Sequence, residues 1–202
     1  MSYRLKPTLG RLLAILALSC SITPTLYAEP NTQKAIFAGG CFWCMEPPFD
    51  ALDGVISTTS GYIGGTVAEP TYKQVSSGTT GHTEALQIVF DPNKITYEKL
   101  LATFWKNIDP VDSGGQFCDR GSQYRSEVFY TSNEQRELAE KSKQQLDASD
   151  ALPAPVQTAI TAVSQFYPAE DYHQNYYKKN GLKYKFYRSR CGRDARLAAV
   201  WK

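Results

Sequence analysis

Positions two apart in Thr83-Glu84-Ala85-Leu86-Gln87-Ile88-Val89-Phe90 fall into a more apolar and a less apolar set. That period of two predicts a strand, with Glu84 on the same face as Leu86, Ile88 and Phe90 and with Thr83, Ala85, Gln87 and Val89 opposite. Lys34 to Ala38 reads as a buried strand. Val55 to Tyr62 reads as another, closed by Gly64-Gly65, and Ser126 to Thr131 as a fourth. Val156 to Val163 predicts a further strand after the break at Pro153 and Pro155. Helical spacing appears at Leu100, Leu101, Phe104 and Ile108, predicting an amphipathic helix over Thr96 to Ile108. Ser132 and Gln135 form a capping box that opens a polar helix to about Leu146. Phe42, Met45, Phe49 and Leu52 are also spaced as a helix, but Pro47 and Pro48 fall inside it and predict a kink or a break. Asp109 to Gly121 is rich in Gly, Asp and Pro and reads as a long loop of the kind that carries function. The tail from Asp171 is dense in Tyr, Lys and Arg without a strong period, and its tyrosines are assigned to packing. Interleaved strands and helices with early hairpin-like links predict an α+β domain of two layers.

The first residues change the picture. Arg4, Lys6 and Arg11 precede an apolar run, Leu12 to Leu18, which ends near Leu26-Tyr27-Ala28. That order predicts a signal peptide over 1–28, cleaved after Ala28, then a short linker over 29–33 and one domain over 34–202. The run is too short to span a bilayer. Leu18-Ser19-Cys20 offers a second address, a lipid anchor on Cys20, against which Ala17 stands where a larger aliphatic is usual. The expected location is therefore the periplasm or the exterior. Cleavage removes three cationic residues and no acidic ones, taking the net charge from +2 to −1. No basic field for nucleic acid remains.

Four cysteines survive cleavage: Cys41, Cys44, Cys118 and Cys191. Cys41 follows an apolar strand and two glycines and precedes Phe42 and Trp43. If a helix opens there, its free N–H groups and dipole favour a thiolate at Cys41. Cys44 stands three positions on, spaced for a redox disulfide; zinc, with Cys118 and Cys191 completing the set, is the weaker reading. Glu84, on the greasier face of its strand, is either expensive to ionise and so suited to donate a proton near neutral pH, or, lying near the strand's end, simply reaches water. Asp119 to Ser126 groups phenol, carboxyl and hydroxyl side chains able to bind a polar oxygen. His82 and His173 read as structural.

Taken together, Gly40-Cys41-Phe42-Trp43, Pro70-Thr71-Tyr72, Gly81-His82-Thr83-Glu84-Ala85, Asp119 with Gly121-Ser122-Gln123-Tyr124-Arg125-Ser126, and Tyr167-Pro168-Ala169-Glu170-Asp171-Tyr172-His173-Gln174 resemble the A-type peptide-methionine sulfoxide reductases, which act on the S epimer. The resemblance implies a two-layer sandwich with a mixed or antiparallel sheet and a ferredoxin-like core, no metal and no organic cofactor, and action as a monomer. It implies that Cys41 attacks the sulfoxide sulfur while Glu84 supplies a proton, Tyr72 and Tyr124 hold the oxygen, and Asp119 fixes the polar corner. Phe42 and Trp43 then enclose the methyl group of an oxidised methionine, free or in a peptide or protein. Cys41 is left as a sulfenic acid, a second thiol closes a disulfide, and a thioredoxin-like dithiol reduces it. Many members carry glycine at the position of Cys44 and recycle through cysteines near the C-terminus. Here Cys44 is expected to resolve first and Cys191 next in a relay, with Cys118 a third candidate.

A thioredoxin-type thiol–disulfide oxidoreductase would also explain Cys41-x-x-Cys44, but it leaves Glu84 and the Asp119 to Ser126 segment without a purpose. A non-enzymatic domain stapled by two disulfides would explain an even number of cysteines. The address makes its own prediction. Intact mass of the exported chain should correspond to a start at Glu29, and a lipid adduct on Cys20 would contradict it.

Overall fold

In the computed structural model, which describes residues 1–3 and 31–201, the strand read at Thr83–Phe90 lies near the centre of the main sheet. Strand β1 spans Gln33–Gly39, helix α1 Phe42–Asp50, β2 Val55–Ile63, α2 Tyr72–Ser76, β3 Thr83–Phe90 and α3 Tyr97–Lys106. A short hairpin, β4 Gly115–Gln116 and β5 Asp119–Arg120, and a 3₁₀ turn at Ser122–Tyr124 precede β6, Ser126–Tyr130. Then follow α4 Asn133–Asp147, β7 Ala159–Ala162, β8 Tyr167–Pro168, and the tail helices α5 Tyr176–Lys179, α6 Gly181–Arg190 and α7 Arg193–Val200.

The sheet order is β7-β6-β1-β3-β2-β8. Every pairing is antiparallel except β6 with β7. Within it, β1-α1-β2-β3-α3-β6 forms the βαββαβ ferredoxin-like unit, its four strands ordered β6-β1-β3-β2. Side chains alternate across β1. Ala35 and Phe37 enter the main core with Met45 and Phe49 of α1 and Leu100, Leu101 and Phe104 of α3. Ile36 and Ala38 join Ile63, Ala85 and Phe129 on the other face. Phe37 is the hub of the first layer, stacked on Phe104 at 4.9 Å and Phe49 at 5.7 Å between ring centres.

Several local expectations are corrected. The helix at Phe42 neither breaks nor stops at Pro47 and Pro48; it runs through both to Asp50. The prolines withdraw two N–H donors, yet the last turn closes through Ala51 N–H to Pro47 O and Leu52 N–H to Phe49 O. The burial of Met45 and Phe49 holds the segment helical. At α4, Ser132 caps the Gln135 N–H, but the Gln135 side chain accepts from Thr131 N–H and donates to Lys34 O, fastening the helix to β1 instead of closing a capping box. The Val156 to Val163 strand contracts to Ala159–Ala162 at the sheet edge. The loop Asp109 to Gly121 contains the β4–β5 hairpin. The patternless tail forms three helices, and α2 and β8 were not foreseen.

Phe37 has no exposure and large partners on two helices, so Phe37→Ala should lower unfolding free energy by about 3–5 kcal/mol, as measured by urea denaturation. A loss under 1 kcal/mol would contradict this view of the core.

Candidate active site

Gly39-Gly40 ends β1 and delivers Cys41 to the N-cap of α1. Gly40 has φ +77°, and a Cβ there would stand 2.6 Å from the Gln116 Cβ, so the backbone passes close beneath the Asp109–Gly121 segment. Gln116 is itself fixed, accepting from Asp109 N–H at 2.8 Å and donating to Asp109 O at 2.7 Å. Cys41 has φ −52° and ψ 117°, outside the helix proper, and is 6 % exposed.

Glu84 reaches the same point from β3. It is 2 % exposed, and its Oε2 accepts the Phe42 N–H at 3.1 Å. Burial pushes its pKa up to about 8, against the pull of that N–H and with a further push from Asp119. The strand pattern therefore located a carboxyl group that is largely protonated at neutral pH. Tyr72, at the first position of α2, is held by its own N–H to Glu170 Oε1 at 2.9 Å. Tyr124 ends the 3₁₀ turn, which Thr83 secures through its hydroxyl to Gln123 O at 3.1 Å. Burial raises both phenols, Tyr72 to about 12, so each remains an O–H donor. No hydrogen bond among the described residues occupies either hydroxyl.

Cys41, Phe42, Trp43, Tyr72, Glu84, Asp119 and Tyr124 line one cavity of about 70 Å³, with Tyr187 as an eighth wall. Sites for drug-sized ligands run to roughly 300–1,000 Å³, so this one suits the tip of a side chain. A larger apolar groove of about 530 Å³ lies between α3, α4 and Trp201 and contains none of these residues. The small cavity is the chemically equipped one.

Phe42 is buried against Tyr62 and His173. Trp43 stacks on Tyr176 at 3.8 Å, meets Tyr187 edge-on, and donates Nε1–H to His173 Nδ1 at 3.1 Å. His173 is thus an aromatic support, and burial holds its pKa down. His82 accepts from Gly65 N–H and bonds Val67 O through Nε2, also a structural arrangement.

Two expectations change here. The thiolate expected at Cys41 from the helix start does not follow, because the Phe42 N–H is taken by Glu84 and burial, Cys44 and two carboxyl groups raise the Cys41 pKa. The neighbouring Cys44 is instead lowered to about 7, first by the Cys41 thiol and then by Arg193 and Arg188 against the cost of burial. The tail tyrosines do more than pack. Tyr187 donates to Asp119 Oδ2 at 2.5 Å across the cavity, and Tyr184 joins Cys41 and Cys44 in one buried cluster. The recurrence of Tyr184, Tyr187 and Cys191 at helical spacing was the available signal.

The four cysteines divide. Cys118 and Cys191 form a disulfide, with Cα atoms 4.9 Å apart, while Cys41 and Cys44 are free and buried. Cys118 is exposed, and Cys191 Sγ lies 4.0 Å from Asp119 Oδ2. The outer disulfide is thus separated from the cavity by one carboxyl group.

A model of the family described as "Peptide methionine sulfoxide reductase" matches residues 33–202. The chain is 54 % identical over 174 residues to a peptide methionine sulfoxide reductase MsrA of Listeria monocytogenes, covering 86 % of this chain and 98 % of that one. Among solved structures it resembles reduced Mxr1 of Saccharomyces cerevisiae, with TM-score 0.70 and 32 % identity over 74 % of this chain and 86 % of that one. It also resembles methionine sulfoxide reductase A of Corynebacterium diphtheriae, with TM-score 0.68 and 32 % identity over 78 % and 79 %.

Glu84 binds its proton more tightly folded than unfolded, so its contribution to stability falls as pH rises from about 4.5 to about 8. Glu84→Gln removes that penalty and keeps an acceptor for Phe42 N–H. It should match the parent's melting temperature near pH 4 and exceed it by about 10 °C or more above pH 8 in calorimetry. A difference that does not vary with pH would contradict the assignment.

Proposed function

The chain belongs to the peptide methionine sulfoxide reductase family, and from that membership we propose how its own residues carry the reaction. It is an oxidoreductase that converts methionine sulfoxide to methionine with a cysteine as reductant. The observation that carries the assignment is the meeting of Cys41, Glu84, Tyr72 and Tyr124 in one small cavity walled by Phe42 and Trp43.

In this reading the sulfoxide of the S epimer enters with its methyl group against Phe42 and Trp43. Its oxygen takes hydrogen bonds from the Glu84 carboxylic acid and the two phenols. Those bonds make the sulfur electrophilic, and the Cys41 sulfur attacks as Glu84 delivers its proton to oxygen. Oxygen passes to Cys41, which becomes a sulfenic acid, while the substrate leaves as a thioether and the Cys41 thiol proton restores Glu84. Asp119, pushed up by burial and bonded to Tyr187, braces the polar corner.

Cys44 then attacks the Cys41 sulfenic acid, an S–S bond forms, and water departs. The N-cap geometry of Cys41 favours this route, because the pair does not have to span a complete helical turn. Exchange with the Cys118 and Cys191 thiols would return Cys41 and Cys44 to the reduced state and leave a Cys118–Cys191 disulfide. That distribution of oxidised and reduced sulfurs is the one present here. The exposed Cys118 would then be the outlet for a thioredoxin-like dithiol. Residues 4–30 lie outside the described residues; with the export address read from 1–28, that dithiol would share the outer compartment.

Single-turnover assays with a methionine S-sulfoxide peptide test the scheme, with thioether quantified by mass. Cys41→Ala should abolish product, and Glu84→Gln should slow its formation by about 10²–10⁴. The parental rate should fall above about pH 8 as Glu84 ionises. Cys44→Ser should still release methionine once but form no inner disulfide. Undiminished product from Cys41→Ala would remove the nucleophile, and a parental rate of disulfide formation in Cys44→Ser would remove the resolver.

A further inference from the structure

Arg193 is a fully buried cation to which the reaction above gives no role. It opens α7, is 1 % exposed, and has no carboxylate within 4.0 Å among the described residues. Its Nη2 donates to the carbonyls of Asn107 at 2.5 Å and Gly39 at 3.3 Å, and to the Met45 thioether at 3.1 Å. Its guanidinium lies over the Phe117 ring, and its buried Nε has no partner. Carbonyls, a thioether and a ring solvate a cation only in part. A buried charge without a counter-ion is costly, and burial works against its protonation here. Stability alone does not account for it.

Its contacts bracket the two free cysteines, since Gly39 lies two residues before Cys41 and Met45 directly follows Cys44. Cys44 is the strongest of the ionisable groups acting on it, ahead of Arg188, Cys41 and Tyr184. Arg188, from α6, adds a second guanidinium through Tyr184, whose hydroxyl it meets at 3.3 Å and which shares a buried cluster with Cys41 and Cys44. Arg188 is already paired with Asp194, whereas Arg193 is not. On the other side, Glu84 and Asp119 both oppose charge at Cys41; both also oppose it at Cys44, where Arg193 and Arg188 outweigh Asp119. The pair of sulfurs therefore lies in a gradient, with carboxyl groups at Cys41 and guanidinium groups at Cys44.

We propose that Arg193 is a positioning residue for the second half of the reaction, its buried guanidinium holding Cys44 as a thiolate aimed at the Cys41 sulfenic acid. This rests on Cys44 being the resolver. The Cys44 thiolate attacks the Cys41 sulfur, the S–S bond forms as the S–O bond breaks, and the departing hydroxide takes the Glu84 proton and leaves as water. Glu84 recovers a proton from solvent. The same guanidinium, which attracts Asp119 only from beyond ion-pair distance, gains a further anion in the form that reacts.

The test is a pH profile of disulfide formation after a single turnover, followed by mass spectrometry, with dimedone to trap the sulfenic acid. The parental rate should rise with a midpoint below the ordinary thiol range, set in this form by the guanidinium groups and no longer by the Cys41 thiol. Arg193→Met should move that midpoint up by about one unit toward the ordinary thiol range, so that below the parental midpoint resolution is about tenfold slower and more sulfenic acid is trapped. Arg193→Lys, which keeps the charge, should hold the midpoint near the parental one. A folded Arg193→Met with an unmoved midpoint overturns the proposal. If Arg193→Met does not unfold cooperatively, Arg188→Gln decides: a smaller shift in the same direction supports the gradient and no shift overturns it. Failure of the resolver reading itself is distinguishable, because it appears in Cys44→Ser and not in the midpoint.

Discussion

One hydrogen bond organises this molecule: the N–H of Phe42, the first residue of α1, to the buried carboxyl group of Glu84. A helix N-terminus favours an anion, and burial disfavours one. Burial wins, and the carboxyl group remains an acid near neutrality while its orientation is fixed by a backbone donor. The bond joins the middle of the sheet to the start of the helix and so sets the distance between proton donor and thiol. It also withdraws from Cys41 the backbone donor that would have stabilised its anion. Nucleophile and acid are coupled by competition for one helix terminus, and Glu84 holds it.

The surrounding layers serve that contact. Glu170 accepts from Tyr62 and from the Tyr72 backbone, and Gln174 bonds both backbone groups of Ser60, so the segment after β8 is stitched across β2. The same segment carries His173 under Trp43. The apolar wall and the phenol on α2 are therefore fixed by one stretch of chain, while Tyr124 is fixed separately from β3 through Thr83. The tail then closes over the site with Tyr176, Tyr184 and Tyr187.

Much of this was legible in the residue order. The alternation around Glu84 gave its face, because a strand's period of two converts sequence directly into side-chain direction, but left open whether the carboxyl group is sheltered or reaches water; the structure decides for shelter. The glycine pair before Cys41 gave the turn. The competition at the helix start was not legible, since it depends on a residue 42 positions away arriving at the same N–H. Pro47 and Pro48 misled because tertiary burial of Met45 and Phe49 outweighs local preference. The tail misled for a different reason. Its helices turn tyrosines and an arginine toward the site while Leu182 and Phe186 face solvent, so no apolar stripe marks the buried side. Arg193 could not be singled out among the many basic residues of the tail, because only packing separates a buried guanidinium from a surface one.

The link between Cys118 and Cys191 ties a loop beside the cavity to the end of α6, across 73 positions of chain. A covalent tie over so long a span restricts the unfolded ensemble by about 4 kcal/mol on a chain-entropy account, about 1 kcal/mol more than a 15-residue loop would. Reduction of that bond lifts the constraint on the unfolded chain, so the disulfide form is the harder of the two to unfold. In the proposed cycle the fold would then be sturdiest while the chain waits for its electron donor, and most easily unfolded just after it has been recharged.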